Sequence, residues 1–289
     1  PAYNDPPHPM RGREEYKHQG EHFECYLEYM HGQVKELLTN YGKIDILWFD
    51  FHYNEMTGEK WEATKLVKMA REINPDLIMD DRIGGDIKVK EPVYYAGDFG
   101  SPEQMIPARG VCDYEGNCIP WETCMTLNDN WGYSSKDTNY KSAKNVIHML
   151  VECASKGGNL ILNVGPDARG VIPAKSVDIL NEVGKWMDKN GESIRNCGPA
   201  SVEKPEFGRI TRNQNRLYFH IFENTLGPLP LLGLKKEQVE SLRLLDGGQP
   251  IPISTSWVHS DYPEIVFADL GPDPVLPDPV DTVIEVVLK

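Results

Sequence analysis

Acidic residues stand next to short apolar runs at several places in this 289-residue chain. Asp50 ends the first run, Asp81 and Arg82 follow the second, and Glu103 and Glu122 come later. Such runs are typical of buried parallel strands, whose carboxyl ends meet at one edge of a sheet. We therefore expect these groups to share a rim. Two carboxylates that flank a bond are what glycoside cleavage needs, one as nucleophile or base and one as proton donor.

Aromatic residues accompany these carboxylates. Trp48 lies two residues before Asp50, and Trp131 follows the segment that contains Glu122. Aromatic rings suit the apolar face of a sugar, although aromatic residues also fill protein cores. Each acidic residue alone could equally be structural, with Asp81 and Arg82 as an ion pair. The number of carboxylates on one rim favours function, because like charges repel one another.

Composition and charge limit the classes of partner. The net charge of −14 and the pI near 5.0 argue against nucleic acid and anionic membranes. Neutral ligands such as sugars fit better, and no apolar run is long enough to span a membrane. The eight histidines are scattered and the six cysteines form no C-x-x-C motif, so we expect neither a metal nor another cofactor. The cellular compartment stays open.

The elements that must position these residues alternate between strand and helix, which indicates a parallel sheet. Beyond Gly198 short β-like runs separated by Gly, Pro and Asn predict an all-β sandwich, and we place the domain boundary between residues 195 and 196. The patterns predict helices over 21–39, 61–73, 142–154 and 176–189, and strands over 44–50, 77–79, 92–96, 121–127 and 159–164.

The number of strands leaves two interpretations of the first domain. A closed (β/α) barrel needs eight strands and typically ~250 residues. Only five strands are predicted before residue 195, and the chain opens on a helix. Either the sheet is open, or the chain lacks the first three strands of a barrel. Exposed parallel edge strands are unfavourable, which points to a partner segment.

Five sequence motifs carry a resemblance to a known family. They lie in the family's order at residues 41–50 (YGKIDILWFD), 97–104 (GDFGSPEQ), 121–124 (WETC), 130–133 (NWGY) and 157–166 (GGNLILNVGP), with an Asp-Arg pair at 81–82. Over about residues 20–195 the chain resembles the α-L-fucosidases of glycoside hydrolase family 29. The family's N-terminal motifs, which grip the fucose hydroxyls, are absent here.

This resemblance implies a (β/α) barrel-type catalytic domain lacking its first strands, over residues 1–195, and a small β-sandwich over residues 196–289. It implies release of terminal α-L-fucose with retention of configuration. Asp50 matches the nucleophile, and Glu103 fits the acid/base best, with Glu122 as the runner-up. In a retaining enzyme these two carboxyl groups lie ~5–5.5 Å apart.

The resemblance also implies substrate contacts and partners. Trp48, Arg82, Trp131 and Glu122 match positions that contact or support the sugar, and the expected substrate is a fucosylated oligosaccharide or glycoside. The missing strands keep a second hypothesis open, a non-catalytic or assembly-dependent carbohydrate-binding half-barrel. A complementary N-terminal barrel segment or a homo-oligomer would complete it. An unrelated open α/β enzyme that uses carboxylates is the third hypothesis.

Overall fold

A computed structural model describes residues 23–50, 52, 56–223, 227–255, 257–272 and 275–289. The chain divides into two compact units. The first contains the described residues up to Ser101 together with Cys112–Ile119, and the second contains Pro102–Val111 and Pro120–Lys289. Within the described ranges, no helix is long and apolar enough to cross a membrane.

Two helices cover one side of a pair of short strands in the first unit. The elements are α1 (Phe23–Asn40), β1 (Ile46–Leu47), α2 (Ala63–Ile73) and β2 (Ile78–Met79). Helix α1 buries Val34 and Leu38, and α2 buries Leu66 and Ala70. In both pairs the residues are four apart and therefore share one helix face. They form a common core with Met79.

Strands β1 and β2 are parallel, with Ile46 opposite Ile78. Met79 is 2% exposed, but Ile46 and Ile78 on the other face are 53% and 44% exposed. The predicted buried strand over 44–50 is therefore only two residues long and covered on one face. The pairing stops after Leu47 because the Phe49 amide donates to the Asp80 side chain rather than to a backbone carbonyl.

The second unit contains a longer parallel pair. Its elements are β3 (Trp121–Thr126), α3 (Ala143–Ser155), β4 (Gly158–Asn163) and α4 (Ala174–Asn190). Strands β3 and β4 pair over six residues, from Trp121 opposite Gly158 to Thr126 opposite Asn163. The Trp121 side chain is 1% exposed, so it belongs to the core. A Cβ on Gly158 would lie 2.1 Å from the Trp121 ring, and only glycine fits there.

The rest of the second unit is mainly antiparallel. It contains β5 (Gly198–Pro199), β6 (Gly208–Asn213), β7 (Arg216–Ile221), β8 (Leu229–Leu231), β9 (Val239–Leu244), α5 (Trp257–Asp261), β10 (Val266–Ala268) and β11 (Thr282–Leu288). One sheet has the order β5-β6-β7-β11-β9, and β8 pairs with β10. Phe219 and Ile284 of the first sheet share a core with Leu231 and Val266 of the second. The boundary between residues 195 and 196 stays a prediction.

The mixed α/β class and the four predicted helices are confirmed, but the barrel is not. In the described ranges the parallel strands form two separate pairs and no closed barrel. The partial barrel therefore stays a prediction. The strand predicted over 92–96 is wrong, because this segment forms a turn in which the Ala96 amide donates to the Val93 carbonyl at 2.9 Å. Pro92, at its start, has no amide hydrogen to donate to a strand partner. Asp98 instead adjoins β2, with its amide donating to the Met79 carbonyl at 2.7 Å.

Candidate active site

The carboxyl ends of β1 and β2 place an aspartate, an arginine and a tryptophan together in the first unit. Arg82 Nη1 donates to Asp50 Oδ1 at 3.1 Å. The Arg82 guanidinium carbon lies 4.4 Å from the centre of the Trp48 ring, within the range of a cation–π contact. The Arg82 side chain is 9% exposed and that of Asp50 is 52% exposed. A nearly buried cation thus contacts a carboxylate that reaches solvent.

Ser101 fixes the other edges of the Arg82 guanidinium. Arg82 Nε donates to Ser101 Oγ at 2.9 Å, and Nη2 donates to the Ser101 carbonyl at 3.0 Å. The Ser101 hydroxyl and amide both donate to Asp81 Oδ1, at 2.6 and 3.0 Å. A line of hydrogen bonds therefore connects Asp81 through Ser101 and Arg82 to Asp50. The sequence placed Asp81 on the rim without a role in the site, and it did not single out Ser101, although both belong to motifs in the sequence.

Asp80 is fully buried directly behind this rim. Its Oδ1 accepts the Phe49 amide hydrogen at 2.9 Å, which fixes the backbone beside Asp50. Its Oδ2 is buried without a hydrogen-bond partner among the described residues. Burial raises the pKa of the Asp80 carboxyl to about 7, against the opposing effect of the Phe49 hydrogen bond. Asp80 therefore titrates near neutral pH.

Asp98, which belongs to the 97–104 motif, has a structural role. Arg71 Nη2 donates to both of its carboxylate oxygens at 2.6 Å. The Met79 amide donates to Asp98 Oδ2 at 2.7 Å. Gly97 has φ of +86°, and a Cβ there would lie 2.4 Å from the Asp80 carbonyl oxygen. These contacts hold the 97–99 segment against β2.

The other two predicted carboxylates belong to the second unit. Glu103 is exposed and pairs in parallel with Cys124 of β3. Glu122 is partly buried on β3 itself, opposite Asn159 of β4, and burial raises the pKa of its carboxyl. Because alternate strand residues share a face, Glu122 and Cys124 lie on the same side of β3. Glu122 is the second residue of β3, so it lies near the amino end of the strand rather than beyond its carboxyl end.

Trp131 is 41% exposed on the loop that follows β3. Asp137 Oδ2 accepts hydrogen bonds from the amides of Asp129 and Asn130, each at 3.1 Å, and from Asn130 Nδ2 at 2.8 Å. A Cβ on Gly165, after β4, would lie 2.7 Å from the backbone of this loop, so the two loops approach closely. Trp131 is therefore presented from a fixed loop.

Unpaired buried polar atoms concentrate at the carboxyl ends of the parallel strands. Among the described residues six such atoms occur, and four follow or end these strands. The four are Trp48 Nε1, Asp80 Oδ2, Asn128 Oδ1 and Asn163 Oδ1. Buried polar groups normally have partners, so the strand ends of each unit separately offer atoms to which further polar groups could bind. No cluster of described His, Cys, Asp and Glu side chains could hold a metal ion.

The structure brings Trp48, Asp50 and Arg82 together in the first unit, while Glu103, Glu122 and Trp131 belong to the second. The fold and the first-unit cluster define an α/β protein with a carboxylate, a cation and an aromatic ring at the carboxyl ends of a parallel strand pair. Residues 3–192 match the model of the alpha-L-fucosidase family. The chain belongs to the alpha-L-fucosidase family.

Known relatives agree with this membership. Alpha-L-fucosidase of Dictyostelium discoideum is 29% identical over 262 residues, covering 81% of this chain and 54% of the relative. The plasma alpha-L-fucosidase of Rattus norvegicus is also 29% identical, covering 78% of this chain and 49% of the relative. The chain thus spans about half the length of these relatives.

Solved structures give the same result. Alpha-L-fucosidase isoenzyme 1 from Paenibacillus thiaminolyticus is 53% identical with a TM-score of 0.95, and the match covers 100% of this chain and 68% of that one. A Bacteroides thetaiotaomicron alpha-L-fucosidase of family 29, trapped as a covalent intermediate with 2-fluoro-fucosyl fluoride, is 26% identical with a TM-score of 0.77. That match covers 94% of this chain and 63% of the other.

Proposed function

We propose that this chain carries much of the catalytic machinery of a retaining α-L-fucosidase, which releases terminal α-L-fucose from fucosylated oligosaccharides or glycosides. One observation carries the proposal: Arg82, itself nearly buried, donates to Asp50 at the end of a parallel strand in a fucosidase-family chain. The guanidinium orients the carboxylate that would act as the nucleophile. The covalent intermediate trapped in the Bacteroides relative supports a two-step reaction.

In the first step an Asp50 oxygen attacks the anomeric carbon, and the bond to the leaving oxygen breaks. Glu103 gives its proton to that oxygen, and a fucosyl ester forms on Asp50. In the second step Glu103 takes a proton from water, which attacks the anomeric carbon and frees Asp50. Two inversions give net retention. Glu122 is the alternative acid, and the raised pKa of its carboxyl suits proton donation.

The remaining predicted residues bind and orient the sugar. Trp48 packs one face of its indole ring against Arg82, and Trp131 is exposed on a loop fixed by Asp137. Flat aromatic faces match the apolar side of a pyranose. Glu122, if not the acid, supports the site from β3.

A second candidate function is a half-barrel that binds carbohydrate without turnover, or only after assembly. The exposed faces of Ile46 and Ile78 favour it, as does the unpaired Trp48 indole nitrogen. Parallel sheets are normally covered on both faces. A complementary N-terminal barrel segment, or another copy of the chain, would cover Ile46 and Ile78 and complete the partial barrel.

Covalent trapping tests the nucleophile directly. The chain is incubated with a 2-fluoro-fucosyl fluoride, and its peptides are examined by mass spectrometry. We expect the label on Asp50, and loss of the label in Asp50→Ala with partial rescue of turnover by azide. Asp45→Asn, an exposed carboxylate at the start of β1, is the matched control and should label normally. Labelling of another carboxylate would overturn the assignment.

Turnover and mass in solution separate the two functions. Hydrolysis of nitrophenyl α-L-fucoside is measured alongside the sedimentation mass of the same sample. Turnover by a monomer supports the enzyme, whereas turnover by an oligomer alone supports a half-barrel that another copy of the chain completes. A monomer without turnover that gains activity only when a complementary barrel segment is added supports the assembly-dependent half-barrel.

A further inference from the structure

Cys112 and Cys118 face each other at the neck of a short hairpin in the first unit, in an antiparallel bridge. The Asp113 amide donates to the Asn117 carbonyl at 2.9 Å, one position further in. In an antiparallel ladder the position next to such a hydrogen-bonded pair is a non-hydrogen-bonded pair, whose Cα atoms lie about 4.5 Å apart. That separation lies within the range that a disulfide spans.

The turn itself holds the hairpin closed. Asp113 Oδ1 accepts the amide hydrogens of Glu115 and Asn117 at 2.9 and 2.8 Å, and Asp113 Oδ2 accepts from Asn117 Nδ2 at 3.0 Å. Gly116 has φ of +87°, which the turn requires. The spacing of Cys112 and Cys118 is therefore set by the backbone, and a bond between their sulfurs needs no rearrangement of the chain.

Cys118 also affects the ionisation of Cys112. Burial raises the pKa of the Cys112 thiol, and the neighbouring Cys118 raises it further through its charge and a hydrogen bond. Cys118 is exposed and Cys112 is half-buried. An outside reagent therefore reaches Cys118 first, and Cys112 stands next to it as the second thiol.

We propose that Cys112 and Cys118 form a dithiol site that exchanges with small-molecule disulfides and closes into an intramolecular disulfide. The Cys118 thiolate attacks the reagent, forms a mixed disulfide and releases one thiol. The Cys112 thiolate then attacks Cys118 Sγ and releases the second thiol. The protein loses two protons and two electrons, and the reagent disulfide is reduced to two thiols. The bond joins the two ends of the 112–118 hairpin.

Other cysteines of the chain differ in exposure or setting. Cys153 is 1% exposed, and burial raises the pKa of its thiol to about 12, so it stays inert. Cys124 is buried on β3, with its sulfur 3.9 Å from the Pro102 carbonyl oxygen. Cys25 is exposed on α1 and does not face another cysteine across a backbone β-bridge, so it serves as the internal reference for an isolated thiol.

The test uses the whole chain in its wild-type form. The protein is equilibrated in glutathione buffers of varied redox ratio, quenched in acid, alkylated and digested with trypsin. Cys112, Cys118 and Cys124 then lie in one peptide, residues 110–136. Closure lowers its mass by about 2 Da relative to the unalkylated dithiol. Cleavage after Glu115 and Glu122 should leave residues 110–115 joined to 116–122 until reduction, with residues 123–136 separate.

The dependence on glutathione concentration distinguishes the disulfide from simple capping. At a fixed ratio of oxidised to reduced glutathione, the internal disulfide decreases as total glutathione rises, because two thiols are released for each disulfide consumed. The fraction of a mixed disulfide does not change with total glutathione at that fixed ratio. Cys25 should show the second behaviour. In Cys112→Ser, Cys118 should also retain glutathione and behave like Cys25.

Two results would overturn the proposal. In one, Cys118 of the wild-type chain keeps glutathione as a stable mixed disulfide. In the other, Cys112 and Cys118 both remain alkylated thiols under buffers that modify Cys25. Neither result depends on fucosidase activity, so the dithiol site can be refuted without refuting the proposed function, and the reverse also holds.

Discussion

Arg82 Nη1 lies 3.1 Å from Asp50 Oδ1, and the arginine is buried where the aspartate is open to solvent. Exposed ion pairs usually contribute little to stability. Here the guanidinium is already held by Ser101 and Trp48, so little side-chain entropy is lost when it binds Asp50. The pair is therefore better suited to orienting a carboxylate than to stabilising the fold.

Replacing Arg82 by Lys should lower kcat/KM for nitrophenyl α-L-fucoside by about 10²-fold, measured with the complementary segment present if turnover requires it. Lysine keeps the charge but lacks the planar fork that contacts Asp50 and Ser101 together. Arg169→Lys alters an exposed Arg–Asp pair and is the matched control. Equal activity of the two variants would contradict an orienting role for Arg82.

Ser101→Ala should lower kcat more than it raises KM, with an overall loss of about ten- to a hundredfold, because hydrogen bonds to charged groups contribute about 1.5–3 kcal/mol. The variant removes the hydroxyl between Asp81 and Arg82 but keeps the backbone contacts of Ser101. Ser101→Thr retains the hydroxyl and should recover most of the activity. Loss of activity in both variants, together with a lower melting temperature, would instead indicate a structural role.

Asp80→Asn should change how stability depends on pH. The folded pKa of about 7 exceeds the ordinary value of 3.8, so the folded wild type keeps a proton that the unfolded chain loses between about pH 4 and pH 7. The free energy of unfolding of the wild type therefore falls through this group as pH rises across that window. Asparagine does not ionise, so the free energy of unfolding of the variant rises relative to that of the wild type by on the order of a few kcal/mol. Urea unfolding at pH 5 and pH 8 measures it.

Asparagine retains an acceptor for the Phe49 amide, so the comparison isolates the ionisation of Asp80. Asp45→Asn, at an exposed position at the start of β1, is the control and should show no such growing gap. A pH-independent difference between wild type and Asp80→Asn would show that Asp80 is not titrating in this window.

Gly158→Ala should destabilise the second unit by about 1–3 kcal/mol, because the new methyl group would overlap the buried Trp121 ring. Gly184→Ala is the matched control, since nothing lies within 4 Å of its new Cβ in α4. The control should gain up to about 1 kcal/mol from better helix propensity. Thermal unfolding followed by circular dichroism compares the two, and equal melting temperatures would contradict the close contact at Trp121.

Periodicity in the sequence predicted what depends on local pattern. The four helices, the parallel strands and the antiparallel character beyond Gly198 follow from the spacing of apolar residues and from turn residues. The prediction of a strand over 92–96 was wrong because it gave more weight to the apolar composition of the segment than to Pro92. The motifs identified the family correctly, and Asp50 and Arg82 do meet at the strand ends.

The sequence by itself determined the family, the α/β class and the residue types of the candidate site, since these depend on motif and pattern. Only the tertiary structure decided that Ser101 and Asp81 hold Arg82, that Asp80 is buried with a raised pKa, and that Cys112 faces Cys118. Burial and hydrogen bonding depend on which distant segments come together. Asp80 and Asp81 are neighbours in the sequence, yet one accepts the Phe49 amide and the other accepts from Ser101.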